Sequence, residues 1–470
     1  MKRIMIAAPR SGSGKTLITC GLLRLMTGRG LDTASFKCGP DYIDPMFHRR
    51  VLGVPGGNLD SFFSGENEIR EILSRSQNEY AVIEGVMGIY DGITAFRRSG
   101  CETSAGLTGS CYDIARITDT PVVLVIDVKG MGQTMISVIK GILADDTYGL
   151  IRGIILNRIS SQYYEQIAPL FRMDLPDRTE LLGGIPASAD IKLESRHLGL
   201  VMPEEIDDLM KQVDSAADLL EKYTDVDGLL RIMQSADIPC IEQESTASEA
   251  ECAVFRPDRS YVPVLAVARD EAFCFCYEEN LRILEAAGIT IREFSPLHDE
   301  RIPAEADGLL LGGGYPELYA RQLSSNASMI SSIRKAVSDG MPSLAECGGF
   351  MYLLDELEDQ TGVTWPMCGL IRGTSRYTGR LSRFGYVSIT LPDGMTVRGH
   401  EFHYFDSDNN GTDARAVKPG SGKSWDCIHY SPDHIWGYPH LWYRSCPDLV
   451  SRFRDSMMRF HRHEELIQVF

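Results

Sequence analysis

The run R-I-M-I-A-A-P-R-S-G-S-G-K-T, Arg3 to Thr16, decides the fold of the first half of the chain. Arg3 to Ala8 is a short, mostly apolar run that reads as a buried strand. Pro9 to Thr16 is a glycine-rich turn, and an apolar-periodic helix follows from Leu17 to Met26. Strand, turn, lysine, hydroxyl and helix in that order form the arrangement that cradles phosphate. Gly12 and Gly14 allow a tight turn, so that the backbone from Ser11 through Ser13 to Lys15 aims its N–H groups at phosphate oxygens. The helix N-terminus adds partial positive charge. Lys15 is placed to reach the β- and γ-phosphates, and Thr16 to hold Mg²⁺ through its hydroxyl. Against the strict consensus, Pro9 stands where a glycine five residues before Gly14 is usual.

Working outward, Thr33 to Lys37 reads as a second strand and Cys38-Gly-Pro-Asp-Tyr-Ile-Asp44 as the loop leaving it. Ligands of open parallel sheets lie beyond the carboxyl ends of the strands. Lys37, Asp41, Tyr42 and Asp44 are therefore expected to face nucleotide or substrate. Tyr80 to Ile83 is a further strand ended by Glu84, a carboxylate suited to anchor Mg²⁺ beside a phosphate loop. The glycine-flanked loop behind it carries Asp91, either a turn residue or a group that positions substrate. Pro121 to Asp127 is apolar throughout, as a central parallel strand is. Arg152 to Asn157 and Leu182 to Pro186 are two more, alternating with helices such as Met131 to Leu143 and Pro203 to Tyr223. The alternation predicts a doubly wound α/β domain over residues 1–225. A polar linker over 226–260 and a second doubly wound α/β domain over 261–470 follow.

In the second domain, V-P-V-L-A-V-A from Val262, Thr290 to Phe294 and Gly308 to Leu311 read as strands, and Tyr277 to Ala287 as a helix. M-P-S-L-A-E-C-G-G-F-M-Y-L, Met341 to Leu353, is a strand ending at Cys347 with two glycines before an apolar helix. This is a nucleophile elbow, whose sharp turn lifts a side chain above the sheet. The helix N-terminus beneath Cys347 is expected to favour the thiolate. Gly312 to Gly314, at the end of a nearby strand, can offer N–H groups to an oxyanion, each worth roughly 3 kcal/mol in the transition state. The base for such a thiol is a histidine. On spacing alone His400, His403, His434 and His440 all qualify.

The chain has 470 residues, 43% of them apolar, and a net charge of −18. That charge argues against nucleic acid as a partner. No apolar run reaches the roughly 18 residues that span a bilayer, so no membrane association and a cytoplasmic location are expected. The twelve cysteines form no C-x-x-C pair, and most are expected to be reduced, buried hydrophobes.

Taken together, A-P-R-S-G-S-G-K-T, F-K-C-G-P-D-Y-I-D, E-G-V-M-G-I-Y-D-G, S-R-H-L-G-L, G-G-G-Y-P-E, A-E-C-G-G-F-M-Y-L and G-H-E-F-H-Y resemble the cobyrinic acid a,c-diamide synthases over nearly the whole chain. The first half is similar to dethiobiotin synthetase, including its departure at the phosphate loop. The second half is similar to the class I, triad-type glutamine amidotransferases. The resemblance implies ATP- and glutamine-dependent amidation of the a and c acetates of cobyrinic acid through acyl phosphates, on the anaerobic route to cobalamin. Nickel sirohydrochlorin and hydrogenobyrinic acid are alternative tetrapyrroles. A MinD-like nucleotide switch carrying an inactive glutaminase fold is a distant alternative.

Carried onto this sequence, Cys347 and His440 of Tyr438-Pro-His440 are the catalytic pair, and Gly313, Gly314 and Gly348 form the oxyanion hole. Ser11 to Thr16 and Lys37 bind ATP, and Thr16, Glu84 and Asp41 bind Mg²⁺. Tyr42, Asp44 and Asp91 place substrate or guide ammonium. Triad glutaminases carry His-x-Glu, whereas this chain has Trp442 two residues after His440. What orients His440 is therefore open, as is a homodimer.

Overall fold

The computed structural model describes residues 1–93, 107–188, 206–236 and 261–468. The chain divides into two compact units, Met1–Glu242 and Gln243–Phe470. The S-R-H-L-G-L segment and the polar stretch from 242 to 259 lie outside the described residues.

The first unit is built on seven strands: β1 (Lys2–Ala7), β2 (Thr33–Cys38), β3 (Gly56–Leu59), β4 (Tyr80–Glu84), β5 (Val122–Asp127), β6 (Ile151–Asn157) and β7 (Glu180–Ile185). Their order is β3-β2-β4-β1-β5-β6-β7, and every pairing is parallel. β1, β4 and β5 are buried almost end to end, which explains their unbroken apolar runs. Because β1 lies between β4 and β5, the turn after β1 emerges beside Glu84 at the end of β4. β3, a G-G-N-L segment, has no apolar run and is not foreseen from the sequence. It pairs because Gly56 lets the chain press onto β2, where a Cβ would stand 1.5 Å from the Ser35 carbonyl oxygen.

Helix α1 (Lys15–Gly28) covers one face of the sheet. Gly21 permits its close approach to the helix Ile206–Tyr223, since a Cβ there would meet the Ala216 carbonyl oxygen at 2.9 Å. The linker expected from 226 does not begin there. Asp225 accepts the Gly228 N–H at 2.8 Å and caps a helix over Val226–Gln234. Leu229, Ile232 and Met233 of that helix join Ile4, Ile6 and Val123 in the core. Its small size and the adjacent polar stretch hide it in the sequence, although D-V-D-G-L-L-R-I-M carries the cap and the apolar spacing.

The second unit holds strands β8 (Val264–Ala268), β9 (Thr290–Phe294), β10 (Gly308–Leu311) and β11 (Ser343–Glu346), joined in parallel by His434–Gly437. His429–Tyr430 closes one edge antiparallel. Beyond residue 353 the chain adds a four-stranded and a five-stranded sheet, neither of which the sequence reading foresees. Their longest strands are half exposed, buried and open positions mixing along each, so they lack a continuous apolar signal. The five-stranded sheet is nevertheless central to the site. Thr396–His403 pairs with His440–Trp442 and sets His400 directly opposite His440.

Among the described residues, no helix is long and apolar enough to cross a membrane. The described cysteines are all free thiols.

Loss of the Asp225 cap in Asp225→Ala should cost about 1 kcal/mol locally. Amide exchange within Val226–Gln234 is then expected to speed up about five-fold, while exchange in β5 stays unchanged. Equal exchange in both proteins would show that the cap does not hold this helix.

Candidate functional sites

In the first unit the phosphate turn closes on the end of the sheet. Gly12 and Gly14 have φ of 75° and 100°, the left-handed region that glycine enters freely. Gly14 is also sterically required, since a Cβ would lie 2.3 Å from Asn157 Nδ2. That nitrogen donates to the Ser13 carbonyl at 2.8 Å, so β6 clamps the turn. Lys15 Nζ donates to the Met87 carbonyl at 2.7 Å. Burial pulls its ammonium below the usual lysine value.

The strand ends carry the charges. Thr16 Oγ1 donates to Glu84 Oε1 at 2.7 Å, and Lys37 Nζ donates to the same oxygen at 2.9 Å and to Asp44 Oδ2 at 2.5 Å. Asp41 stands 3.9 Å from Lys37 Nζ. Burial opposes the Lys37 charge, but Asp44, Glu84 and Asp41 outweigh it and hold the ammonium well above the usual range. Burial raises Glu84 to about 7 and, with the Asp44 charge, Asp41 to about 6. Burial also presses on Asp44, yet Lys37 keeps it below the ordinary value. Behind them His48 is held down to about 4 by burial.

These groups line a cavity of about 460 Å³, with Ser11, Gly12, Gly14, Lys15, Thr16, Lys37, Asp41, Asp44 and Glu84 all on its wall. The wall also includes Asn157 and Arg158, which the sequence places at a strand end without assigning them a role. Tyr42 and Asp91 are not on it. Tyr42 is 9% exposed, and the exposed Asp91 accepts the Gly88 N–H of its own loop at 2.8 Å. Ser13 faces away, its hydroxyl donating to the Arg10 carbonyl at 3.0 Å.

Glu84 Oε2 and Asp44 Oδ1 are buried and accept no hydrogen bond. Unsatisfied carboxylate oxygens beside the Thr16 hydroxyl suit a hard divalent cation. Among the described residues no set of three His, Cys, Asp or Glu encloses such an ion. Its remaining ligands would come from nucleotide and water.

In the second unit Cys347 sits between β11 and the short helix Gly348–Leu353 with φ 47° and ψ −105°. This is a strained elbow for a residue with a Cβ. Its N–H donates to the Gly437 carbonyl at 2.9 Å, tying the elbow to the strand that leads to His440. Gly313 makes room for that histidine, since a Cβ on it would lie 2.3 Å from His440 Cε1. Gly348 in turn makes room for Gly314, whose nitrogen is 3.0 Å from where a Gly348 Cβ would lie. The elbow and the glycine turn thus meet at the carboxyl ends of parallel strands, and His440 packs against that turn. Of the three expected oxyanion donors, the Gly313 N–H is already given to the Phe275 carbonyl at 3.2 Å.

The electrostatics differ from the sequence expectation of a favoured thiolate. Burial, and then the Glu317 carboxylate, push the Cys347 thiol up, and the Gly348 N–H offsets only part of this. Burial, His400 and His403 hold His440 well below the usual histidine value. Thiol and imidazole therefore both rest neutral. His400 stacks on His440 with ring centroids 4.9 Å apart, and His403 stacks on Tyr438 at 4.1 Å. Trp442 points into the core, edge-on to Tyr277 at 5.0 Å. Glu317, missed by the sequence reading, is raised to about 7 by burial. His434 is remote in role, sharing a 3.0 Å hydrogen bond with the Ser343 hydroxyl.

A phosphate-binding α/β unit followed by an elbow-cysteine α/β unit defines a nucleotide-dependent glutamine amidotransferase. Two family models agree, one for the CobQ/CobB/MinD/ParA nucleotide binding domain over residues 4–201 and one for the CobB/CobQ-like glutamine amidotransferase domain over 264–445. The chain is 35% identical to the cobyrinate a,c-diamide synthase of Clostridium acetobutylicum over 94% of its own length and 97% of the relative's. It is 34% identical to that of Methanothermobacter thermautotrophicus over 97% and 100%. With that of Listeria innocua it shares 38% over 86% and 87%. The chain belongs to the cobyrinate a,c-diamide synthase family, and is an enzyme.

Lys37→Met would strand Asp44 and Glu84 without their cation. Breaking a buried pair this way costs about 3–5 kcal/mol. Chemical denaturation of the first unit should show a loss of that size, and unchanged stability would refute the charge balance described.

Proposed function

We propose that this enzyme uses ATP and glutamine to convert the a and c acetate carboxylates of cobyrinic acid to amides. Support comes above all from the relationship to the diamide synthases across nearly the whole chain, and further from a cavity lined by Lys15, Thr16, Lys37 and Glu84 and an elbow at Cys347. In the first unit the Ser11–Gly14 backbone and Lys15 hold the β- and γ-phosphates. Thr16, Glu84 and Asp41 would hold Mg²⁺, which would supply positive charge to the transferring phosphoryl group. Lys37 is held charged beside them to share that task. A carboxylate is a poor electrophile because oxide would have to leave. Phosphorylation makes phosphate the leaving group, and ammonia displaces it. Asp44 meets substrate or ammonium at the cavity wall, while Tyr42 and Asp91 shape the two loops that frame it.

In the second unit Cys347 Sγ attacks the side-chain amide carbon of glutamine as its proton passes to His440. The Gly314 and Gly348 N–H groups receive the oxyanion. His440 returns the proton to the leaving ammonia, and water then frees glutamate. Because both partners rest neutral, the thiolate forms only as the attack proceeds.

The reading is tested by incubating the enzyme with cobyrinic acid, ATP and glutamine and counting amides by mass. Two should be added. Amides on nickel sirohydrochlorin or hydrogenobyrinic acid alone would move the substrate, and none on any macrocycle would sink the reading. Cys347→Ser should lose glutamine-dependent amidation at least 1,000-fold, an order expected for a lost nucleophile, yet respond to added ammonium. Lys15→Ala should lose both. An MinD-like switch predicts instead no effect of Cys347→Ser.

A further inference from the structure

A histidine that shuttles a proton needs its second ring nitrogen fixed, or the wrong tautomer faces the nucleophile. Two residues beyond His440 the chain offers only the indole of Trp442, which packs in the core against Tyr277. A carboxylate reaches the imidazole from another direction. Glu346, the residue immediately before the nucleophile, places Oε2 3.9 Å from His440 Nδ1, an ion-pair separation that must close by about 1 Å to become a hydrogen bond. We propose that Glu346 is the positioning residue of the glutaminase site and supplies the orienting carboxylate through the nucleophile strand itself. The proposal rests on the glutaminase reading given above.

Three features make Glu346 more than a chance neighbour. It is buried, 6% exposed, in a strand whose other residues are apolar or small, where an unused carboxylate would only cost stability. Its other oxygen, Oε1, is tethered by the Tyr443 hydroxyl at 2.7 Å. The Leu441 N–H, from the residue next to His440, also donates to the Glu346 carboxyl. Tyr443 is itself fixed, its N–H donating to Asn280 Oδ1 at 2.9 Å, while Asn280 Nδ2 holds the Leu441 carbonyl at 2.7 Å. The imidazole plane is set from its other side by His400, stacked at 4.9 Å and held through Nδ1 by the Tyr277 hydroxyl at 3.2 Å.

With Nδ1 turned to Glu346, Nε2 is the nitrogen left to take the thiol proton. When it does, the imidazolium forms beside the carboxylate and an ion pair is created in a site that excludes water. No bond to Glu346 forms or breaks. Burial raises Glu346 to about 8, so the ionised, orienting form grows as pH rises from 7 to 9.

The groups facing it are His440, Tyr443 and, more distantly, the thiols of Cys347 and Cys276. Burial pushes Tyr443, Cys347 and Cys276 up, and burial with His400 and His403 holds His440 down. None of them is placed to titrate between pH 7 and 9; Glu317, which acts on Cys347 and is raised to about 7 by burial, titrates at the acid edge of this window and is unchanged in the variants below.

The test is glutamate release by Glu346→Gln and Glu346→Asp across pH 6–9.5, with KM and kcat separated and folding followed by thermal melting. For Glu346→Gln the proposal expects kcat to fall about 10- to 100-fold, a share of what a positioned proton carrier supplies. KM should change little, and the rise in kcat near pH 8 should disappear. Glu346→Asp should recover part of the rate and keep a pH-dependent limb. Unchanged kcat, or an unchanged pH profile in Glu346→Gln, overturns the proposal. So does equal loss in both variants with the limb retained. If Glu346→Gln fails to fold, Tyr443→Phe decides. It leaves the carboxylate but removes its tether, so the limb should shift and kcat fall less than ten-fold, whereas a wild-type profile there overturns the proposal.

Discussion

One carboxylate oxygen governs the nucleotide site. Glu84 Oε1 accepts both the Thr16 hydroxyl and the Lys37 ammonium, so the turn after β1, the end of β2 and the end of β4 are locked to one atom. The strand order makes this possible, because β4 lies between β1 and β2. A lone buried lysine or glutamate would discharge itself. Here Lys37 stays charged because three carboxylates surround it, and Asp44 stays ionised because Lys37 is there. The balance leaves two carboxylate oxygens without donors, a reserve of negative charge beside a phosphate-binding turn.

The glutaminase site follows a different logic. Its charges are withheld rather than stored. Burial favours the protonated thiol and the neutral imidazole. Glycines fix the geometry. The His440 ring occupies the volume that a side chain at 313 would fill, and the Gly314 nitrogen the volume beside 348. The first of these contacts joins segments more than a hundred residues apart in sequence, the second segments 34 positions apart.

The central features of both sites were legible in the sequence for a physical reason. A phosphate turn and a nucleophile elbow are local structures, each encoded within about ten residues, so Gly12, Gly14, Lys15, Thr16 and Cys347 could be read directly. The parallel strands were legible because burial on both faces demands unbroken apolar runs. Features formed between distant segments were not. β3 depends on contact with β2, the helix after Asp225 on the core it completes, and the sheets after residue 353 on pairing of half-exposed strands. The choice among four histidines needed the family resemblance. The structure sets His440 opposite His400 and gives its ring clearance at Gly313. The thiolate expectation failed because a six-residue helix contributes little field where burial dominates. Glu346 went unassigned because its partner is 94 positions away.

The account holds that the acid group is made reactive by taking a phosphoryl group from ATP before nitrogen reaches it. The most direct test labels both oxygens of the substrate carboxylates with ¹⁸O and follows the label during a single round of amidation. One labelled oxygen should depart with each inorganic phosphate released, and the other should remain in the amide. Phosphate free of ¹⁸O, with amide still formed, would contradict the account.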